Sequence, residues 1–238
     1  MTGQRIRIGV IGAGKSALNT HVPKFQAIDQ VEVTGIVNRT TESSNKAAGQ
    51  LGIHNIYQNW IELLDDPNID AIFVGTWPYM HKTIVLEALK RNKHILTQAR
   101  MSMNLNEARD MLTASLQKPQ VITQIVPSYM ADPAVIKTIM ELVNSGSVGK
   151  ILSIDFCWSY NTAKNNNFTW RHDPDMIGKN IMMIGAQYEN LMRIFGPAIN
   201  VTAFSNLVRP NLRDQIGRTK ISTIPDHAEI IAEMETGA

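Results

Sequence analysis

The chain has 238 residues, 44% of them hydrophobic, with 23 Lys plus Arg against 21 Asp plus Glu. That balance describes an ordinary globular protein with chain enough for a large core, and a net charge of +2 offers no field for nucleic acid or acidic lipid. The lone Cys157 excludes an internal disulfide, no apolar run approaches the roughly 18 residues of a bilayer span, and the N-terminus enters a strand pattern without a signal-peptide stretch, so a cytoplasmic protein is expected.

In chain order, short apolar runs at Ile6–Ile11, Val31–Val37, Ala71–Val74, His94–Thr97 and Val121–Val126 predict strands, and the longer amphipathic stretches between them predict helices. Alternation of this kind favours a parallel sheet covered by crossover helices, because parallel neighbours cannot be joined by tight hairpins. Asn104 followed by Glu107 marks a helix start at Leu105, and Asp132 before Pro133 marks another. After Gly149 the pattern changes. Ile151–Tyr160 alternates as a half-covered strand would, Asn161–Asn167 reads as a loop and Ile181–Phe195 as a Met-rich buried helix, with further strands at Ile199–Asn206 and His227–Met234. The last residues show no closing element, so the second unit is expected to be incomplete.

The segment Gly9 to Ala17 carries glycines at 9, 12 and 14, directly after the first strand and at the opening of a helix. Gly12 permits a tight turn, Ala13 and Gly14 let the backbone approach a pyrophosphate, Lys15 and Ser16 stand at the first helical N–H groups, and Ala17 is small enough for close helix–strand packing. Glycine in such a turn serves shape alone or a dinucleotide. The strand-before, helix-after context favours the dinucleotide and hence a Rossmann domain. The second strand ends in Asn38, Arg39, Thr40 and Thr41 with no acidic residue for a ribose hydroxyl. Arg39 is then either a solvated loop residue or the partner of a 2′-phosphate, and the second reading favours NADP over NAD.

Three further segments resemble the Gfo/Idh/MocA family of sugar and polyol oxidoreductases, and the resemblance covers nearly the whole chain. Thr76, Trp77, Pro78 and the residues to His81 resemble the family's T-P-N-x-x-H segment, with Thr76 and His81 matching. Lys93 to Arg100 resembles the stretch ending in E-K-P, but Gln98, Ala99 and Arg100 replace those three positions, so the usual lysine is absent. Trp170 and Arg171, followed by the Met-rich helix, resemble W-R and then D-x-G-x-H-x-x-D, with Met183, Gln187 and Asn190 where the two aspartates and the histidine would stand. The resemblance implies an α/β fold: a Rossmann doubly wound parallel sheet over residues 1–126, then part of an α+β domain with a mostly antiparallel sheet over residues 127–238.

It also implies hydride transfer between a nicotinamide and a sugar- or polyol-like substrate, with a homo-oligomer for the full-length form, while no metal, nucleic acid or membrane partner is expected. Cofactor contacts are then expected from Gly12, Ala13, Gly14, Lys15, Ser16, Asn38, Arg39, Thr40, Thr76, Trp77, Pro78, His81, Gln98, Trp170 and Arg171. Arg100, Gln187 and Asn190 would contact substrate, and His81, His172 and Tyr188, with Arg100 as a polarising group, are the candidates for catalysis. Loss of the usual titrating positions leaves a second reading open, a catalytically inactive dinucleotide-binding sensor.

Overall fold

A computed structural model describes residues 5–126, 133–159, 166–178, 181 and 184–237. By internal contacts the chain divides into two units, Met1–Val126 and Pro127–Ala238.

The first unit is a six-stranded, all-parallel sheet of β1 (Ile6–Ile11), β2 (Val31–Val37), β3 (Asn55–Ile56), β4 (Ala71–Val74), β5 (His94–Thr97) and β6 (Thr123–Ile125), in the order β3-β2-β1-β4-β5-β6. Period-two alternation divides its apolar residues between two cores. Val10, Ile36 and Phe73 face one side with Val22, Ala47 and Ala48 from α1 (Val22–Gln26) and α2 (Thr41–Leu51). Ile11, Val37, Ile72 and Val74 face the other with residues of α3 (Trp60–Asp65), α4 (Pro78–Lys90) and α5 (Leu105–Leu116). Helices on both faces of a parallel sheet make the fold doubly wound, as expected. The chain runs outward from β1 to β3 and then returns to pair β4 on the other side of β1, which creates a topological switch point at the carboxyl end of β1.

Local chemistry starts the helices where the sequence places them. Asn104 accepts from the Glu107 N–H at 3.0 Å and caps α5. Thr40 and Ser43 form a reciprocal cap on α2, and Gly52 closes that helix in the left-handed region at φ 67°.

The second unit contains α6 (Pro133–Asn144), a 3-10 turn at Trp170–His172, α7 (Pro174–Ile177), α8 (Ile184–Phe195) and strands β7 (Ala198–Asn206), β8 (Asn211–Arg213), β9 (Thr219–Ile221) and β10 (His227–Met234). β7 pairs antiparallel with β10, and β8 with β9. The strand expected at Ile151–Tyr160 is absent over 151–159: no neighbouring strand pairs with this mostly exposed stretch, and alternation without a ladder does not make a strand. Tyr160, most of the loop that follows it, Asp132 and Met183 lie outside the described residues. Among the described residues, no helix is long and apolar enough to cross a membrane.

Candidate functional site

Register places the glycine turn between two strand ends. Val37 of β2 and Val74 of β4 both pair with Ile11, so the backbone beyond Ile11 emerges between them. Gly12 N donates to Val37 O and Gly75 N to Ile11 O, each at 2.8 Å, which ties the turn to both flanks. Gly12 has φ +88°, and a Cβ on it would lie 2.6 Å from Thr76 N and 2.8 Å from Thr76 Cγ2. Glycine is therefore required twice, by conformation and by space. A Cβ on Gly14, by contrast, would meet no atom within 4 Å, so this part of the turn faces open room.

Asn38 holds the turn shut from the β2 side. Its Oδ1 accepts from Ala13 N at 2.6 Å and its Nδ2 donates to Ser43 O at 3.0 Å, while its own N–H donates to Ser44 Oγ at 2.9 Å. The side chain expected to touch cofactor is thus committed to bracing the turn against α2. Thr40 is similarly committed: its hydroxyl accepts from Ser43 N at 3.2 Å as the cap of α2.

The first helical hydrogen bond runs from Leu18 N to Gly14 O at 2.9 Å, which leaves the N–H groups of Lys15, Ser16 and Ala17 as the first turn. Lys15 and Ser16 are exposed and Ala17 is buried. Such a helix start can hold an anion. The helix then takes a π turn over Ala17–His21, with Val22 N donating to Ala17 O. A hydrogen bond of 3.1 Å joins Ser16 Oγ and His21 Nε2, residues five apart that only the wider turn brings to one face. His21 packs on Phe73 with ring centroids 5.2 Å apart, and burial, then Lys24, holds its imidazole below the ordinary range.

Beyond β2 and β4, the Arg39 guanidinium lies over the Trp77 ring at 5.4 Å, and Trp77 is 6.4 Å from the Tyr79 ring. Trp77 is the N-cap residue of α4, with Pro78 at its first position. His81, one turn into α4, is 1% exposed. Its Nε2 faces Thr76 O at 2.9 Å, and its Nδ1 faces Arg100 O at 2.9 Å and Met101 O at 3.2 Å. Burial lowers its pKa against the opposing pull of these carbonyls. The imidazole stands between the loop after β4 and the loop after β5, and the neutral ring, with a single N–H, donates to one of them. Half-buried Thr76 and Gln98 sit at the ends of β4 and β5, and Thr76 Oγ1 and Gln98 Oε1 are buried without a hydrogen-bond partner among the described residues. Buried polar atoms are rarely left so, and an orphan at this lip suits a ligand.

In the second unit, Arg171 stacks on Trp170 at 4.3 Å. His172 Nδ1 accepts from Thr169 N at 3.0 Å, which assigns the ring proton to Nε2, and burial keeps the imidazole below the ordinary range. Tyr188 does not stand free: its hydroxyl oxygen accepts from Ala198 N at 2.9 Å and pins α8 to β7. Asn190 Nδ2 donates to Ala186 O one turn back, at 3.1 Å, and Gln187 is 7% exposed. Sequence reading missed the His21 contact, since hydrogen-bond register within a helix leaves no compositional signal. It also missed the Arg39–Trp77 stack, although a tryptophan in place of the family's proline was a visible departure.

Comparison with known proteins agrees with this geometry. Residues 6–125 match the family described as "Oxidoreductase family, NAD-binding Rossmann fold". A dTDP-3,4-didehydro-2,6-dideoxy-alpha-D-glucose 3-reductase of Streptomyces antibioticus is 24% identical over 238 residues, covering 100% of this chain and 70% of that protein. A myo-inositol 2-dehydrogenase of Thermotoga maritima is 28% identical over 145 residues, covering 61% of this chain and 42% of that protein. Among solved structures, levoglucosan dehydrogenase in complex with NADH superposes with a TM-score of 0.86 at 20% identity, covering 99% of this chain and 65% of that one. The chain spans about half the length of the curated relatives it matches.

Proposed function

Because the chain belongs to the Gfo/Idh/MocA oxidoreductase family with its NAD-binding Rossmann fold, we propose that it is an NAD(P)-dependent oxidoreductase acting on the CH–OH groups of a sugar- or polyol-like substrate. The observation that carries this reading is the glycine turn. It leaves open room at Gly14, presents the first-turn N–H groups of Lys15 and Ser16, and stands beside the orphaned Thr76 Oγ1, with Gln98 Oε1 one strand further on at the end of β5. These residues fit a pyrophosphate at the helix start and polar groups beyond β4 and β5. Arg39, with no acid at the end of β2, favours NADP over NAD.

When bound, the nicotinamide supplies a hydride acceptor or donor at C4, which leaves the protein to bind, orient and manage a proton. Arg100 serves as a fixed positive charge toward a substrate oxygen and is a poor base. In the second unit Gln187 and the Asn190 amide suit hydroxyl groups, while Trp170 and Arg171 offer a stacked face. His81 acts through position, holding the β4 and β5 loops together. The oxidoreductases in the comparison act on inositol, levoglucosan and a dTDP-sugar by name, which supports a polyhydroxylated substrate. A cytoplasmic homo-oligomer goes with this reading, and light scattering on the purified chain tests the second part.

One observation favours the sensor reading. Both His81 nitrogens face backbone carbonyls, His172 Nδ1 and the Tyr188 oxygen each accept a backbone N–H, and Ala99 stands at the lysine position. Titration with NADPH and NADH, followed by nicotinamide absorbance during a screen of sugars, inositols and their keto forms, separates the readings. Substrate-dependent absorbance change supports the enzyme, binding without turnover supports the sensor, and absence of binding overturns both.

A further inference from the structure

Trp77 meets two planar side chains near the switch point, Arg39 and Tyr79. Arg39 lies two residues beyond the end of β2, and Trp77 lies three beyond the end of β4. Since Val37 and Val74 both register with Ile11, the Arg39–Trp77 contact bridges the two strands that flank the glycine turn. Trp77 is itself constrained by its neighbours. Its backbone is extended as the cap residue of α4, Pro78 fixes the next φ, and the Tyr79 ring lies 6.4 Å away.

An exposed arginine ordinarily samples many rotamers, and ordering it costs part of whatever it later binds. An aromatic face removes some of that freedom, because guanidinium stacks well on indole while keeping its N–H edges available. Two polar neighbours at the end of β2 are already committed. The Asn38 amide is spent on Ala13 and Ser43, and the Thr40 hydroxyl on the cap of α2. The acid that would favour an unphosphorylated ribose is missing from this strand end.

We propose that Trp77 is a specificity-determining residue that positions the Arg39 guanidinium for a phosphate on the 2′-oxygen of the adenosine ribose, so that the 2′-phosphate preference of this site depends on a residue from β4 as well as one from β2. The inference rests on the NADP reading above and assigns its structural support. Trp77 acts here through Arg39, with no demand that the indole touch the phosphate.

The test is a two-by-two comparison of the 238-residue chain with Arg39→Ala, Trp77→Ala and the double variant, reading the ratio of NADH to NADPH dissociation constants. A stack at an exposed site predicts that Trp77→Ala lowers the ratio by about two- to fivefold. Arg39→Ala lowers it further, and adding Trp77→Ala to Arg39→Ala changes the ratio no more. Trp77→Phe retains a face and keeps most of the preference, which also guards against loss of fold in the alanine variant. If Trp77→Ala weakens both cofactors equally and Arg39→Ala still collapses the ratio, Trp77 is an adenine or packing contact and the inference fails alone. If Arg39→Ala leaves the ratio unchanged, or the unmodified chain prefers NADH, the NADP reading fails with it.

Discussion

Replacing Asn38 with alanine tests whether the glycine turn is held by a side chain or by glycine alone. The substitution removes the acceptor of the Ala13 N–H and the donor to Ser43 O. Ala13 is 5% exposed, so its amide loses a partner where water does not readily replace it. An unsatisfied buried donor costs about 1–3 kcal/mol, and the second, more accessible bond adds about 0.5–1.5 kcal/mol. The expected destabilisation of the first unit is therefore about 1.5–4.5 kcal/mol, a large share of a total stability of about 5–15 kcal/mol. Urea unfolding should show a midpoint lower by about 1 M at a slope of about 3 kcal/mol/M. Amide exchange at Ala13 should accelerate, and NADPH affinity should fall because the first-turn amides lose their fixed placement. A midpoint within about 0.2 M of the parent, with Ala13 protection unchanged, would refute the assignment of Asn38 as the brace.

Gly12→Ala places a Cβ 2.6 Å from Thr76 N at φ +88°, and strain plus overpacking of about 2–5 kcal/mol should destabilise the unit and abolish dinucleotide binding; retention of both by calorimetry would contradict the close packing. Leu63 is 0% exposed, so Leu63→Ala should cost about 2–5 kcal/mol in urea unfolding while leaving the NADH to NADPH ratio unchanged, because the lost packing lies in the core. The pKa values of His21, His81 and His172 are all lowered from 6.5, with burial the largest cause. The folded state thus prefers the neutral rings. Their contribution is complete above the unfolded value of 6.5 and is lost as pH falls through the lower folded values. Urea midpoints should accordingly fall between about pH 7 and pH 5, and a midpoint that rises on acidification over that range would count against the assignment.

The Rossmann half was readable because its strands are apolar runs bounded by polar turns, and parallel burial makes such runs nearly continuous. β3 escaped notice because two exposed residues, Asn55 and Ile56, carry no pattern at all. Ile151–Tyr160 misled for the opposite reason: its alternation is genuine, yet over the described residues no neighbour offers a ladder. At the site, glycine spacing announced the turn, since Gly12 answers to both conformation and space. What the side chains do there was harder to read. Asn38 and His81 carry polar groups suited to ligands, but each faces backbone atoms both near and far in sequence, Asn38 meeting Ser43 and Ala13 and His81 meeting Thr76 and Arg100. Arg39 and Trp77 meet only because β2 and β4 flank β1.

The π turn at Ala17–His21 carries a consequence for how this helix tolerates changes in length. A wide turn absorbs one additional residue without rotating the helix on either side, so Ala17 and Val22 can both stay buried across it. Deleting one residue from the exposed pair Asn19 and Thr20 would allow the ordinary turn to re-form with both apolar ends still facing the sheet. The fold should accept that shortening. The link from Ser16 to His21 should survive it as well, because their separation would drop to four residues, the spacing at which side chains of an ordinary helix meet on one face. At this point a one-residue deletion would shorten the helix while leaving both its buried face and the surface next to the glycine turn in place.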